Sequence, residues 1–118
     1  MKISTVKELL NAQVICGEED IDEEVFSACG SDMMSDVLAY VKDQAVLLTG
    51  LVNSQVIRTA SMMDMCCIVL VRDKKPTEEM VELCKNAGIV MMTTELRMYD
   101  ACGVLYSSGL VGRARKVD

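Results

Sequence analysis

The sequence contains no histidine and no tryptophan, one phenylalanine, one proline and three tyrosines among 118 residues. The missing histidine removes the commonest general base and the commonest metal ligand. A serine or cysteine nucleophile needs a neighbouring base, so the usual hydrolytic dyads and triads are excluded. The Gly-x-x-x-x-Gly-Lys-[Ser/Thr] cradle is absent, and so is Gly-x-Gly-x-x-Gly. Nucleotide phosphoryl transfer and dinucleotide binding therefore lack their fingerprints. No apolar run is long enough to span a bilayer and no secretory leader is evident, so no membrane partner is expected and the expected location is cytoplasmic.

What is present fits one α/β core. Apolar residues make up 51 %, but aromatics only 3 %. The interior must be filled by Val, Leu, Ile, Ala, Met and Cys, and ten methionines give it an adaptable filling. The net charge of −6 argues against a nucleic-acid partner, which needs a basic face to neutralise phosphate. The excess of acids lies in the first half of the chain, with a run over 18–24 that reads as a solvated loop. Arg72, Lys74 and Lys75 read as a solvated basic turn.

The six cysteines are expected to be thiols in a cytoplasmic setting. Cluster ligands usually come as Cys-x-x-Cys pairs on loops. Here Cys66 and Cys67 are adjacent on an expected strand and point to opposite faces, while Cys84 and Cys102 share helix faces with core residues. They read as small buried hydrophobes, with no metal site and no cofactor.

The organising stretch runs from 45 to 93 and reads strand, helix, strand, helix, strand. The strands are expected at 45–49, 66–71 and 89–93, each a short apolar run bounded by polar or turn residues. The helices between them are expected at 53–64 and 77–86, capped by Asn53 and Thr77. The inward face of the first is Val56, Ile57, Ala60 and Met63, and that of the second is Met80, Val81, Cys84 and Ala87. Gly88 supplies a left-handed stop. Strands alternating with helices force crossovers, and hence a mainly parallel sheet covered on both faces, a three-layer α/β/α arrangement.

Around this core, a short strand is expected at 1–4 and a helix capped by Thr5, with Val6, Leu9 and Leu10 on its apolar face. An edge strand follows over 13–16, then an alternating strand over 24–29 with Val25 or Phe26 inward. A helix capped by Ser31 or Ser35 is expected to reach Lys42, burying Val37, Leu38 and Val41, with Asp32 and Asp36 at its positive end. Thr94 caps a final helix carrying Tyr99, Cys102 and Tyr106 along one side. Gly109 ends it, and 111–118 reads as a mobile basic tail beyond a single domain over 1–110.

Two sequence features sit where open α/β sheets bind ligands, after a strand and before a helix. One is Thr49, Gly50 and Asn53; the other is Thr93 and Thr94. Together they could cradle a phosphate or another anion, although ordinary helix caps account for the same residues. A divalent cation held by Asp32, Asp36, Ser31 and Ser35 competes with helix capping in the same way, and capping is preferred.

Residues 31–38, 48–60, 75–79, 87–94 and 101–106 form an ordered series of motifs that resembles the stand-alone DRTGG-domain family. The string Asp-Arg-Thr-Gly-Gly itself does not occur. The resemblance implies a fold similar to the amino-terminal domain of HPr kinase/phosphorylase. It also implies the regulatory or dimer-forming role that such domains play beside CBS domains in regulated pyrophosphatases and in some phosphotransacetylases. A kinase activity is not expected without the phosphate-binding loop. The expectation is a non-catalytic regulatory or scaffold domain acting as a homodimer, with Met33, Met34, Leu51 and Val52 as contact residues and a protein partner in a hydrogenase or kinase pathway. The alternatives are a small-anion or nucleotide sensor using Thr49, Gly50, Asn53, Thr93 and Thr94, and an iron–sulfur or redox protein associated with hydrogenase.

Overall fold

Five strands form one sheet in the order β1-β5-β4-β3-β2. The strands are β1 (Gln13–Cys16), β2 (Ser27–Gly30), β3 (Ala45–Thr49), β4 (Cys67–Leu70) and β5 (Val90–Thr93). β2 to β5 run parallel, and only the edge strand β1 is antiparallel. The computed structural model describes residues 1–39 and 44–112. Five α-helices cover the sheet: α1 (Ile3–Leu10), α2 (Met34–Leu38), α3 (Gln55–Met62), α4 (Glu78–Ala87) and α5 (Met98–Ser107).

The layers follow from strand alternation. Val46, Leu48, Val69 and Met92 point to one face and pack with Ile3, Val6 and Leu105 of α1 and α5. Leu47, Ile68, Leu70 and Met91 point to the other and pack with Val37, Val56 and Met80 of α2, α3 and α4. Every residue of β3, β4 and β5 is buried, as continuous apolar strands covered on both sides must be. The three-layer arrangement is the one the alternating pattern predicts.

The local stops are also where the sequence places them. Thr77 Oγ1 accepts from Met80 N at 3.2 Å, and Gly88 ends α4 with φ +69. β3 spans the expected 45–49, while β4 and β5 begin or end a residue inside their expected spans, because terminal residues lie beyond the paired ladder. On α3 the inward set is Val56, Ile57, Thr59 and Ala60, with Met63 only half-buried.

The periphery differs from the sequence reading in several places. Residues 1–4 do not form a strand: Lys2 makes one isolated bridge to Glu24, and α1 begins at Ile3. No side chain caps α1, so Thr5 is not its cap. Its first amides are taken instead by backbone carbonyls, Ile3 N to Glu23 O at 2.9 Å and Ser4 N to Ile21 O at 2.8 Å. The acidic stretch thus has a structural task, since its backbone carbonyls satisfy orphan donors at the start of α1.

β2 spans Ser27–Gly30 rather than 24–29, with Val25 buried and Phe26 exposed. α2 is shorter than expected and has no side-chain cap, so neither Ser31 nor Ser35 serves as one; Leu38 is exposed. Val41 and Lys42 lie outside the described residues. The chain past α5 turns at Gly109, with φ +102, and buries Leu110, and the Val111 carbonyl accepts from Ala28 N at 2.9 Å. Val111 therefore lies along the outer edge of β2. Residues 113–118 of the expected basic tail lie outside the described residues.

Candidate functional site at the carboxyl ends of the strands

Parallel strands β2 to β5 all end on one side of the sheet, and Thr49, Leu70 and Thr93 stand in register across it. Thr49 and Thr93 are therefore two strand spacings apart, about 10 Å. That span is too wide for one phosphate to touch both. The sequence places the two groups on one rim, but the sheet keeps them separate.

Thr49 is fully buried at the end of β3. Its hydroxyl donates to Asp32 Oδ1 at 3.1 Å and accepts from Leu51 N at 3.2 Å. Gly50 N donates to the same Asp32 oxygen at 2.6 Å. A carboxylate of the chain itself thus occupies the amide and hydroxyl that a bound anion would use. Asp32 works across the loops after β2 and β3, instead of at the start of α2 as capping would require.

Gly50 is closely approached by the flexible end of the Arg72 side chain, which can swing aside. A Cβ there would stand 2.5 Å from Arg72 Nη2. Arg72 follows β4 and lies over Gly50, so the strand-end rim carries a cation beside the Asp32 carboxylate. Arg72 and Asp73 both take positive φ, at 59 and 55. Their amides donate to Leu96 O and Thr94 O, each at 2.8 Å, which clasps the loop after β4 to the loop after β5. Asn53 Oδ1 accepts from Gln55 N at 2.8 Å in the turn before α3, whose N-cap residue is Ser54 rather than the expected Asn53.

The second group is tied down as firmly. Thr93 Oγ1 donates to Lys74 O at 2.8 Å, and Thr94 Oγ1 donates to Leu10 O at 2.7 Å while accepting from Leu96 N. Thr94 is a turn-former that joins the end of α1 to β5; the helix that follows starts at Met98. Sequence reasoning names Thr49, Gly50, Asn53, Thr93 and Thr94 but does not place Asp32 and Arg72 beside them. It assigns these two to a helix end and a solvated turn. Only a contact across 18 residues reveals Asp32, and no short-range pattern carries that signal.

Of the expected contact residues, Met33 is 61 % exposed, while Met34, Leu51 and Val52 are half-buried against the α2–α4 side of the core. Met33 and Met34 follow Asp32, and Leu51 and Val52 follow Gly50. The Asp32–Gly50 hydrogen bond therefore brings these two apolar pairs to neighbouring loops.

Burial favours the protonated form of four of the six thiols. Burial pushes Cys84 up from 9.0 to about 12 and Cys67 well above 9.0, and it raises Cys16 and Cys102 as well. Among the described residues, no three His, Cys, Asp or Glu side chains are placed to hold a metal ion. Among them, too, no helix is long and apolar enough to cross a membrane.

Comparison with known proteins agrees with this architecture. No curated protein matches the sequence. Among solved structures, the chain is similar to the CBS and DRTGG domains of the regulatory region of Clostridium perfringens pyrophosphatase, determined with its activator diadenosine tetraphosphate. The TM-score is 0.73 at 16 % identity, over 91 % of this chain and 46 % of that one. At that identity the match establishes the fold, and this chain spans less than half of the structure it matches. The family model for the DRTGG domain matches residues 5–107, nearly the whole sequence, and the chain belongs to the DRTGG domain family.

Proposed function

We propose that this chain is a non-catalytic regulatory or scaffold domain that acts through self-association and a protein partner, with residues 1–110 as one unit. The observation that carries the reading is the Asp32 bond to Gly50 N. In this fold class ligands and reacting groups gather at the carboxyl ends of the strands. Here the donors at β3 are taken by an internal carboxylate, and the hydroxyls at β5 are donated to backbone carbonyls. What the same rim offers outward is apolar surface at Met33, with Met34, Leu51 and Val52 beside it. The regulatory region of the pyrophosphatase contains a domain of this family, which supports a regulatory role by analogy of fold.

Sedimentation velocity over a concentration series tests the reading. A homodimer is expected, with Met33→Asp shifting it toward monomer while circular dichroism stays unchanged. A strict monomer at millimolar concentration overturns the self-association. The hydrogenase or kinase pathway belongs to this proposal as the setting for the protein partner, and co-purification from cells tests it.

A second reading, nucleotide or small-anion sensing, draws on Arg72 over Gly50 and on the activator named for the pyrophosphatase. A nucleotide would meet Arg72 and would have to displace Asp32 from Gly50 N. Isothermal titration with ATP and with diadenosine tetraphosphate tests it. Absence of both heat and a change in melting temperature removes it.

A further inference from the structure

Six thiols in one small chain invite the question of which can react with one another. Cys66 and Cys67 are neighbours in sequence, with Cα atoms about 3.8 Å apart, below the spacing disulfides adopt. Cys102 Sγ lies over Gly30 and so comes near Cys29, but the two pack in different apolar clusters.

Cys16 and Cys84 differ from all of these. Cys16 ends β1 and Cys84 lies in α4, and both belong to the same apolar cluster. The backbone of Ile89 holds them together: its carbonyl receives the Cys16 thiol at 3.9 Å, and its amide donates to Cys84 O at 3.0 Å. Both side chains pack in this cluster beside Ile89, near enough for each thiol to influence the other's proton. They are far apart along the chain, so folding alone creates the pair.

We propose that Cys16 and Cys84 form a dithiol oxidation site that a small-molecule disulfide converts to an internal disulfide, fastening the antiparallel edge strand β1 to α4. Cys16 is the entry point, since it sits on the sheet edge at 7 % exposure while Cys84 is fully buried. Burial disfavours the Cys16 thiolate, with Lys85 favouring it and Glu19 opposing it. The Cys16 thiol loses its proton and its sulfur attacks the oxidant, releasing one small thiol. The Cys84 thiol then loses its proton, and its sulfur displaces the second. Two protein thiols give up two protons and two electrons, and the oxidant's S–S bond is reduced to two thiols. Burial keeps both groups protonated near neutrality, so the first step is slow there and quickens as pH rises. This inference stands independently of the regulatory reading.

The test treats the reduced full chain with oxidised glutathione near pH 7 and pH 9, under native conditions. The expected product is lighter by two hydrogens, carries no glutathione and has two fewer titratable thiols. Peptide mapping without reductant should give a linked pair containing Cys16 and Cys84, formed roughly tenfold faster per pH unit below the thiol pKa. The melting temperature should rise by several degrees, because the cross-link closes a long loop. Cys16→Ser and Cys84→Ala should each abolish the product, and Cys29→Ser should leave it intact. A persistent glutathione adduct, a bridge between other cysteines, or a bridge that forms only in denaturant overturns the proposal.

Discussion

At Thr59 a fully buried hydroxyl on α3 has no hydrogen-bond partner. Helical spacing from Val56 assigns the inward face to apolar residues and passes over this position, because a threonine reads as surface. Leaving a buried hydroxyl unpaired costs about 1–3 kcal/mol. Valine has nearly the same shape without that penalty, so Thr59→Val is expected to stabilise by about 1 kcal/mol, a rise of roughly 4 °C in Tm. Chemical denaturation checks it, and a loss of stability would mean that the hydroxyl is satisfied within the folded chain. Glycines show the complementary limit. Gly17 and Gly88 each follow the end of an element, yet they differ in what surrounds them. Gly17 has φ +87, and a Cβ there would stand 2.9 Å from Val90 Cα, a backbone atom that cannot swing away. Gly88 has φ +69 with open space. Gly17→Ala is therefore expected to cost roughly 2–4 kcal/mol and Gly88→Ala about 1 kcal/mol, from the left-handed backbone alone. Paired urea melts of the two variants measure the difference.

The elements that local chemistry defines are the ones the sequence shows. β3, α3, β4, α4 and β5 each carry their own apolar pattern and their own stop, so neighbours in sequence are enough to place them. α1 and the loop after β2 are different. α1 owes its start to carbonyls of residues 21 and 23, and the loop after β2 is fixed by Asp32 reaching Gly50 N and Thr49 Oγ1. Such pairings depend on which strands become neighbours, and no window of ten residues contains them. Asp32→Ala should expose the consequence at this scale. It removes the acceptor shared by two donors, one of them on a buried threonine, and is expected to cost about 1–3 kcal/mol. Hydrogen exchange should quicken at Gly50 and Leu51 more than at the amides of β4. Uniform exchange across the sheet would show that Asp32 is not what holds the loop. The closing segment behaves in the same way. Leu110 is 4 % exposed, and beside it Val111 covers the outer edge of β2, which would otherwise offer unpaired groups to another chain. Leu110→Ala should cost roughly 2–4 kcal/mol and raise aggregation on heating, read by light scattering.

For the molecule as a whole, the buried thiols couple folding to pH. With almost no aromatics, the interior uses cysteine as a small hydrophobe, and Cys67 and Cys84 are buried on opposite faces of the sheet. A thiol behaves as a hydrophobe only while protonated. Burial raises Cys84 from 9.0 to about 12, and it raises Cys67, Cys16 and Cys102 in the same direction. Below pH 9 the folded and unfolded chains hold the same thiol protons, so these groups leave stability level. Between about 9 and 12 the unfolded chain has released protons that the folded chain still keeps, and stability falls as pH rises. Denaturant midpoints measured from about pH 7 to pH 11 should therefore stay flat and then drop. Cys84→Ala should begin less stable at neutral pH, because it leaves a cavity, and should then lose less on going alkaline. The crossing of these two curves separates a titrating thiol from a merely packed side chain. Parallel curves would show that the alkaline loss arises elsewhere, in the lysines and tyrosines that titrate over the same range.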